Sequence, residues 1–517
     1  MIANKQLKIQ IPVVDIANYT PEGSVLPLIT ESTAKRLKVL PLFMVRSTLV
    51  LAMADPSDFM ALNEMKRETK LEIYPVLTEA KSLQSAIVKY YENVDTLQDE
   101  LGAIVKEIRT LDTDFTIGQN IPGRIVIEET TPIIKLVNRM IKQAVKIKAS
   151  DIHVEPEENV FRLRYRIDGQ LQELARFPIN ILPSIVSRVK ILSGLDITET
   201  RAPQDGRAII GIDDKTIDMR ISTYPTVFGE NLVIRVLDKS VLELKLERLG
   251  ITPKLMPHLL KVVQSAYGIV LVVGPTGSGK TTTMYAVLNT INSISKNIVT
   301  IEDPVEYSLE LVRQTQVNAK IGLTFANGLR GILRQDPDII FVGEIRDLET
   351  TEIAIQAALT GHLVFSTVHT NDAPSTIARL MDMGAEPFLL SSSINAILAQ
   401  RLVRRICSQC KEAYDPELSL LQSIGLGKEQ GKMKFYRGKG CIHCRNTGYT
   451  GRVGIFELMP MSSAIKDMVV QKITSEHIRE QALNEGMIAM FDDGLQKARD
   501  GVTTIDEVLR ATRLNAE

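Results

Sequence analysis

The most informative segment of the chain is Gly274-Pro275-Thr276-Gly277-Ser278-Gly279-Lys280-Thr281. An apolar run precedes it at residues 269–273, and a stretch of helical character follows it. The spacing is that of a phosphate-binding loop, in which glycines let successive backbone N–H groups turn toward phosphate oxygens. Lys280 would neutralise the phosphates, and the Thr281 hydroxyl would bind Mg²⁺. We therefore predict that residues 274–282, Thr282 included, hold a nucleoside triphosphate.

Four short apolar runs mark the second half of the sequence. They occupy residues 269–273, 298–301, 339–342 and 363–368, and helical stretches separate them. Continuous apolar runs are typical of strands buried on both faces, and their alternation with helices predicts a parallel sheet with crossover helices. The expected fold class is therefore α/β. Residues 462–513 have a helical pattern, and residues 504–507 within it have the form of a capping box.

A phosphate-binding loop needs an acidic partner on a neighbouring strand. Glu344 follows the third apolar run after Gly343, at which position most such sites carry an aspartate that holds Mg²⁺. We expect Glu344 to orient and deprotonate the attacking water. Glu302 ends the second run and could reach the same edge, so that a structural role and a catalytic role are both open for it. His369 follows the fourth run and is expected at the same carboxyl edge of the sheet.

All four cysteines of the chain fall into two Cys-x-x-Cys pairs. Each pair places two sulfurs on one tight turn, so two pairs can complete a closed tetrahedron around Zn²⁺. The alternative of four unrelated reduced thiols is disfavoured because no cysteine lies outside the pattern. A site with four thiolates leaves no position for water and is therefore structural. The predicted zinc ligands are Cys407, Cys410, Cys441 and Cys444.

The sequence before the phosphate-binding loop divides into three parts. We interpret residues 1–91 as a small α/β domain and residues 124–240 as an α+β domain that opens with an amphipathic helix after Thr131. Residues 92–123 between them have the acidic, glycine- and proline-containing composition of a linker. Residues 241–517 then form the domain with the phosphate-binding loop, and its insertion at 405–452 carries the cysteines.

Composition limits the class of protein further. The 517 residues are 44% hydrophobic and 24% charged, which is typical of several globular domains. Sixty-one basic residues nearly balance 62 acidic ones, so the chain has no global positive field to attract nucleic acid. No apolar run reaches the roughly 20 residues of a membrane-spanning helix, and no secretory signal is apparent. We therefore expect a protein that stays in the cytosol and whose contact with any membrane is peripheral.

Four segments of the second half carry a family resemblance. They occupy residues 300–307, 322–338, 343–347 and 360–372. These segments look like the acidic box, Walker B and histidine box of the secretion ATPases, which drive type II secretion and type IV pilus assembly. The resemblance extends from residue 124 to the end of the chain. The four cysteines are similar to an element that marks the assembly branch of the family rather than the shorter retraction branch.

What this resemblance implies is a homohexameric motor that hydrolyses ATP, uses Mg²⁺ and Zn²⁺, and drives pilus or pseudopilus assembly with an inner-membrane platform protein. It also implies a RecA-like fold for residues 241–517 and a PAS-like fold for residues 124–240. Residues 1–91 resemble a truncated form of the family's N-terminal domain. In the family, arginines of both later domains approach the phosphates. The matching positions are Arg220, Arg235, Arg330 and Arg334.

Two alternative functions remain open. A motor for pilus retraction or DNA uptake belongs to the same family, and the cysteines argue against retraction. A zinc-containing NTPase stimulated by nucleic acid belongs to a different class. The formal net charge of -1, the aromatic content of 5% and the absence of Trp disfavour the surfaces that such an enzyme needs. Strong stimulation of ATP hydrolysis by DNA or RNA would favour this second alternative.

Overall fold

The structure is a computed structural model. It describes residues 12–91, 132–238, 244–426 and 434–512, except for 17, 18, 20, 22–24, 213 and 214. The predicted linker at 92–123 and the predicted cap Thr131 lie outside the described residues. The chain divides into two compact units, one of residues 1–238 with 438–448 and one of residues 239–437 with 449–517. Within the described ranges, no helix combines the length and the apolar character needed to cross a membrane.

Residues 12–91 form a small sheet with helices, as the sequence predicts. The elements are α1 (Glu31–Leu37), β1 (Val39–Val45), β2 (Thr48–Met53), α2 (Phe59–Thr69), β3 (Glu72–Leu77) and α3 (Ala80–Tyr91). Strand β2 pairs antiparallel with β1 and parallel with β3. Short polar side chains begin the helices: the Thr30 hydroxyl accepts a hydrogen bond from the Thr33 N–H at 3.2 Å, and Asp58 caps α2 in the same way.

Residues 132–238 form an antiparallel sheet with two helices. The elements are α4 (Pro132–Lys146), β4 (Asp151–Pro156), β5 (Val160–Ile167), β6 (Gln170–Pro178), α5 (Leu182–Ser193), β7 (Gln204–Ile212), β8 (Lys215–Thr226) and β9 (Gly229–Asp238). The strand order is β6-β5-β4-β9-β8-β7. Alternate residues of β5, namely Phe161, Leu163 and Tyr165, are buried, and the Tyr165 hydroxyl donates to the Met140 carbonyl at 2.7 Å. The predicted α+β arrangement is thus present.

The second unit is built on a seven-stranded sheet of order β12-β11-β13-β14-β10-β15-β18. Neighbouring strands are parallel except for the last pair. Strands β16 and β17 form a separate small sheet. The elements are α6 (Met256–Val263), β10 (Gly268–Val273), α7 (Lys280–Ile291), β11 (Ile298–Glu302), β12 (Val312–Gln316), α8 (Phe325–Ile332), β13 (Ile339–Val342), α9 (Leu348–Leu359), β14 (Leu363–Val368), α10 (Ala373–Asp382), α11 (Pro387–Ser393), β15 (Ile394–Ile406), β16 (Lys411–Tyr414), α12 (Leu418–Ser423), β17 (Phe435–Gly438), β18 (Tyr449–Pro460), α13 (Ser463–Val470), α14 (Ser475–Asn484), α15 (Met490–Arg499) and α16 (Ile505–Thr512).

This sheet confirms the predicted α/β fold class and adds to it. Every residue of β10 is buried, as its continuous apolar run predicts. The sheet is larger than predicted because β12, β15 and β18 also join it. The capping box at 504–507 is only half formed. The Thr504 hydroxyl accepts from the Glu507 N–H at 3.3 Å, but the Glu507 carboxylate accepts from the backbone N–H and the guanidinium of Arg404 and from the Arg510 guanidinium rather than from the Thr504 N–H.

A buried carboxylate joins three segments of the second unit. Glu457 on β18 is 1% exposed and accepts hydrogen bonds from the Ala373 N–H at 3.1 Å and the Met490 N–H at 3.3 Å. Arg479 on α14 lies 3.4 Å from the same carboxylate and 2.9 Å from Asp372, the residue that caps α10. The loop after β14 and the C-terminal helices are therefore held to one acidic group.

Candidate functional site

The phosphate-binding loop lies between the carboxyl end of β10 and the first turn of α7. A side chain at Gly274 would place its Cβ 2.6 Å from both the Gln400 carbonyl and the Ser278 hydroxyl, so no larger residue fits there. Gly279 precedes α7 with a φ of 90°, in the left-handed region that favours glycine. Thr281 is exposed on the first turn of α7, and Thr282 beside it is half-buried. The local geometry is the one that the spacing of the glycines predicts.

Lys280 turns back onto this loop. Its ammonium Nζ donates to the Gly274 carbonyl at 2.8 Å and to the Pro275 carbonyl at 3.1 Å. Burial lowers the pKa of Lys280 to about 8, an effect that the nearby Glu344 carboxylate opposes and Arg401 reinforces. Phosphate oxygens would replace the two carbonyls as acceptors and would favour the charged ammonium.

The depressed pKa of Lys280 predicts that nucleotide affinity weakens at alkaline pH. The free protein loses the Lys280 proton as the pH rises through about 8, whereas bound phosphates keep the amine charged. Binding must then take up a proton, so the dissociation constant for ADP should rise by up to about tenfold per pH unit above that pKa. Calorimetric titration of ADP from neutral to alkaline pH measures this dissociation constant.

Lys280→Arg is the control, because a guanidinium stays charged over this pH range, so the affinity of the variant for ADP should not change with pH. A flat profile for the unaltered chain would contradict the prediction.

Glu344 lies just beyond the carboxyl end of β13 and has only 12% of its side chain exposed. Its carboxylate contacts Arg346 at 2.5 Å and His369 Nε2 at 3.4 Å. Burial and the charge of Lys280 lower the pKa of His369, so the imidazole is neutral at pH 7. The structure therefore brings Lys280, Glu344 and His369 to one edge of the sheet, where an anionic ligand and an attacking water can be held together.

Gly343 occupies the position at which most such sites carry an aspartate, and the backbone around it leaves little room for a side chain. A Cβ there would lie 3.2 Å from the Glu302 Cα and 3.3 Å from the Ile301 carbonyl. The Gly343 N–H also donates to the Ile301 carbonyl at 2.7 Å. Strands β11 and β13 approach each other so closely that a side chain at this position would be crowded.

Glu302 is the last residue of β11 and is 2% exposed. Its carboxylate accepts hydrogen bonds from the Thr300 hydroxyl at 2.6 Å, from the Gln314 amide at 3.1 Å and from the Tyr285 hydroxyl. Burial and, to a lesser extent, the hydrogen bond to Glu302 raise the pKa of Tyr285. Since both carboxylate oxygens are occupied by neighbours, the geometry favours the structural role for Glu302, which ties α7 to β11.

The predicted arginines fall into two groups. Arg220 on β8 pairs across the sheet with Arg235 on β9, and Arg235 lies 3.1 Å from Asp151. On the opposite edge of β8, Arg220 pairs with Arg207 on β7. Arg207 was not among the residues predicted from the sequence, although the register of the predicted strands could have indicated it. In the second unit, Arg330 and Arg334 are an exposed pair. Arg330 contacts Glu349 at 2.8 Å, and Arg334 donates to the Arg330 carbonyl at 2.9 Å.

The four cysteines lie close together in the segment between β15 and β18. Their sulfur atoms all lie within 4.8 Å of one another, and those of Cys441 and Cys444 are 3.7 Å apart. Tetrahedral zinc with Zn–S bonds of about 2.3 Å requires sulfurs roughly 3.8 Å apart, so the donor set fits Zn²⁺. The N–H groups of Cys441 and Gly448 each donate to the Cys444 sulfur at 3.2 Å, as expected for a thiolate.

Known proteins resemble this chain over most of its length. The family described as type II/IV secretion system protein matches residues 127–510, and the MshEN domain family matches residues 9–97. The type IV pilus assembly ATPase PilB of Myxococcus xanthus is 42% identical over 506 residues, covering 97% of this chain and 89% of that protein. The type II secretion system ATPase E of Vibrio cholerae is 41% identical over 465 residues, covering 89% and 91%. The crystal structure of the pilus retraction motor PilT with bound ADP has a TM-score of 0.50 and 28% identity, covering 72% of this chain and 95% of PilT.

Proposed function

The chain belongs to the type II/IV secretion system protein family and is an ATPase, and from this we propose that it is the motor that assembles a type IV pilus or the pseudopilus of type II secretion. The observation that carries the proposal is the pair of alignments with the pilus assembly ATPase and the type II secretion ATPase, at 42% and 41% identity. Each alignment covers most of this chain and most of the relative. The four clustered cysteines support assembly over retraction, because the resemblance associates them with the assembly branch.

Hydrolysis at this site follows from the chain's own groups. Lys280 leaves the carbonyls of Gly274 and Pro275 for the phosphates, and the loop amides hold the rest of their charge. Glu344 accepts the proton of the attacking water. Thr281 would hold Mg²⁺, and its exposed hydroxyl is the hard oxygen ligand that this ion prefers. The bound metal would supply further neutralisation of the phosphates.

We extend the proposal to the four predicted arginines, to the oligomeric state and to the division into domains. Arg220 and Arg235, together with Arg330 and Arg334, would neutralise charge on the phosphates of ATP in a homohexameric ring. The chain would have three domains, at residues 1–91, 124–240 and 241–517. Residues 92–123 would link the first two, and the third would carry the zinc-binding insertion at 405–452. The separate hydrophobic cores of residues 16–87 and 133–236 support the first two domains. The ring would work in the cytoplasm on an inner-membrane platform protein.

A gene deletion in the source organism tests this function. Loss of surface pili indicates pilus assembly, and loss of protein export with pili retained indicates the type II machine. An excess of surface pili would instead identify a retraction motor. Strong stimulation of ATP hydrolysis by DNA or RNA in the purified protein would point to the nucleic-acid-dependent alternative. Mass measurement in the presence of a non-hydrolysable ATP analogue tests the hexamer.

The cysteine cluster predicts about one zinc per chain. Cys407→Ser or Cys441→Ser should remove the metal and lower the melting temperature, because zinc binding contributes on the order of 10 kcal/mol to local folding. Elemental analysis of the purified chain and thermal unfolding before and after chelation measure both effects. Ser408→Ala, which changes a residue between two ligands, is the control and should keep the zinc. A folded chain without metal would contradict the assignment.

A further inference from the structure

Gln400 is a buried polar residue directly beneath the phosphate-binding loop. Strand β15 pairs in parallel with β10, with Ala399 opposite Val273, so Gln400 lies beside Gly274 where the loop begins. Gln400 is 1% exposed, and its amide Nε2 donates to the Ser278 carbonyl at 2.8 Å. A Cβ at Gly279 would lie 3.2 Å from the same nitrogen. The side chain of Gln400 thus contacts the end of the loop that leads into α7, while its backbone carbonyl lies against Gly274 at the other end.

This hydrogen bond fixes the direction of a peptide unit. The Ser278 carbonyl and the Gly279 N–H belong to one planar trans peptide, in which the two groups point in opposite directions. When Gln400 holds the carbonyl toward β15, the Gly279 N–H must point away from that strand. A rigidly oriented N–H donor at the start of a helix is what phosphate binding requires.

Two buried polar atoms at the same place suggest that the arrangement is made for a ligand. In the described part of the chain, neither the Ser278 hydroxyl oxygen nor the Gln400 Oε1 has a hydrogen-bond partner, although Ser278 is only 4% exposed. Buried polar groups without partners are unfavourable and are concentrated at functional sites. The Ser278 hydroxyl can donate to a phosphate oxygen once the loop is filled.

We propose that Gln400 is a positioning residue for nucleotide binding, which aims the Gly279 N–H at a phosphate by holding the Ser278 carbonyl. This rests on the proposed binding of ATP at residues 274–282. The amide contact would be the same in the ground state and in the transition state, so its loss should weaken binding without slowing the chemical step.

A matched pair of variants of the full-length protein separates this role from a structural one. Gln400→Met removes the hydrogen bond and keeps the volume. Asn395→Leu removes a similar bond at the opposite end of the same strand pair, where Asn395 Nδ2 donates to the Tyr267 carbonyl at 2.6 Å. For Gln400→Met we expect the KM for ATP and the dissociation constant for ADP to rise about tenfold, with kcat within about twofold of the unaltered protein. For Asn395→Leu both constants should stay within about twofold.

Several outcomes would overturn the proposal: unchanged affinity in Gln400→Met, a fall in kcat alone, or an equal loss of affinity in Asn395→Leu.

If Gln400→Met does not fold, Gln400→Glu replaces it. A neutral carboxylic acid can donate the same hydrogen bond, and burial raises its pKa, so the KM of this variant relative to the unaltered protein should rise with pH. A constant ratio overturns the proposal. Failure of the unaltered protein to bind ADP would instead refute nucleotide binding at the loop.

Discussion

Replacing Lys280 with alanine is expected to lower ATP turnover by about 10³-fold or more and to abolish assembly. The Lys280 ammonium is the cation that lies on the loop itself, within 2.8 Å of the Gly274 carbonyl, and alanine leaves nothing at that place to meet the phosphates. Phosphate release measured with saturating ATP and Mg²⁺ gives turnover, and fluorescence of a labelled nucleotide gives affinity. Both should fall together.

The control for this variant is Lys296→Ala, which removes an exposed lysine from the loop after α7. It changes the net charge by the same amount and should keep normal turnover. If Lys280→Ala kept normal turnover as well, the site of hydrolysis would not be residues 274–281, and the proposed motor function would lose its chemical basis.

Glu344→Gln is expected to bind ATP with near-normal affinity and to hydrolyse it roughly 10²–10⁴ times more slowly. The amide has the shape of the carboxylate but cannot take the proton of the attacking water. Because Glu344 also contacts Arg346 and His369, the isosteric change disturbs their positions less than alanine would. Single-turnover hydrolysis and nucleotide titration, measured separately, distinguish slow chemistry from weak binding.

Glu302→Gln is the informative comparison. The Glu302 carboxylate accepts hydrogen bonds from three donors, which include Tyr285 and Thr300. Because an amide cannot accept all three, the substitution should lower the stability of the fold more than it lowers the rate of hydrolysis per folded molecule. Normal turnover in Glu344→Gln together with slow hydrolysis in a folded Glu302→Gln would move the base to Glu302.

The sequence predicted the part of the fold that local pattern determines. The strands β10, β11, β13 and β14 are short, mainly apolar runs, and a helix directly follows β10, β13 and β14, so both their type and their parallel arrangement could be inferred. The glycines of the loop, the cysteine pairs and the carboxyl-edge position of Glu344 follow from spacing. These features depend on residues that are near one another in the chain.

What the sequence did not reveal depends on distant pairing. Strand β15 mixes apolar residues with Gln400 and Arg401 and has no alternating pattern, and its partner β18 begins more than 40 residues later. The contact of Gln400 with Ser278 depends on the pairing of β15 with β10, which is also distant in the chain, and could not be predicted without it. The role of Glu302 was left open for the same reason, because its partners come from α7 and β12.

The buried Glu457 has a consequence for how the protein can be shortened. A fragment that stopped after β18 would keep the bond of Glu457 to the Ala373 N–H but lose the Arg479 guanidinium and the Met490 amide that also compensate its charge. An unmatched charge in such a position destabilises a fold by about 3–5 kcal/mol, a large part of what a typical domain possesses. The terminal helices are thus needed for a stable second unit, and any fragment of this unit made for expression has to include them.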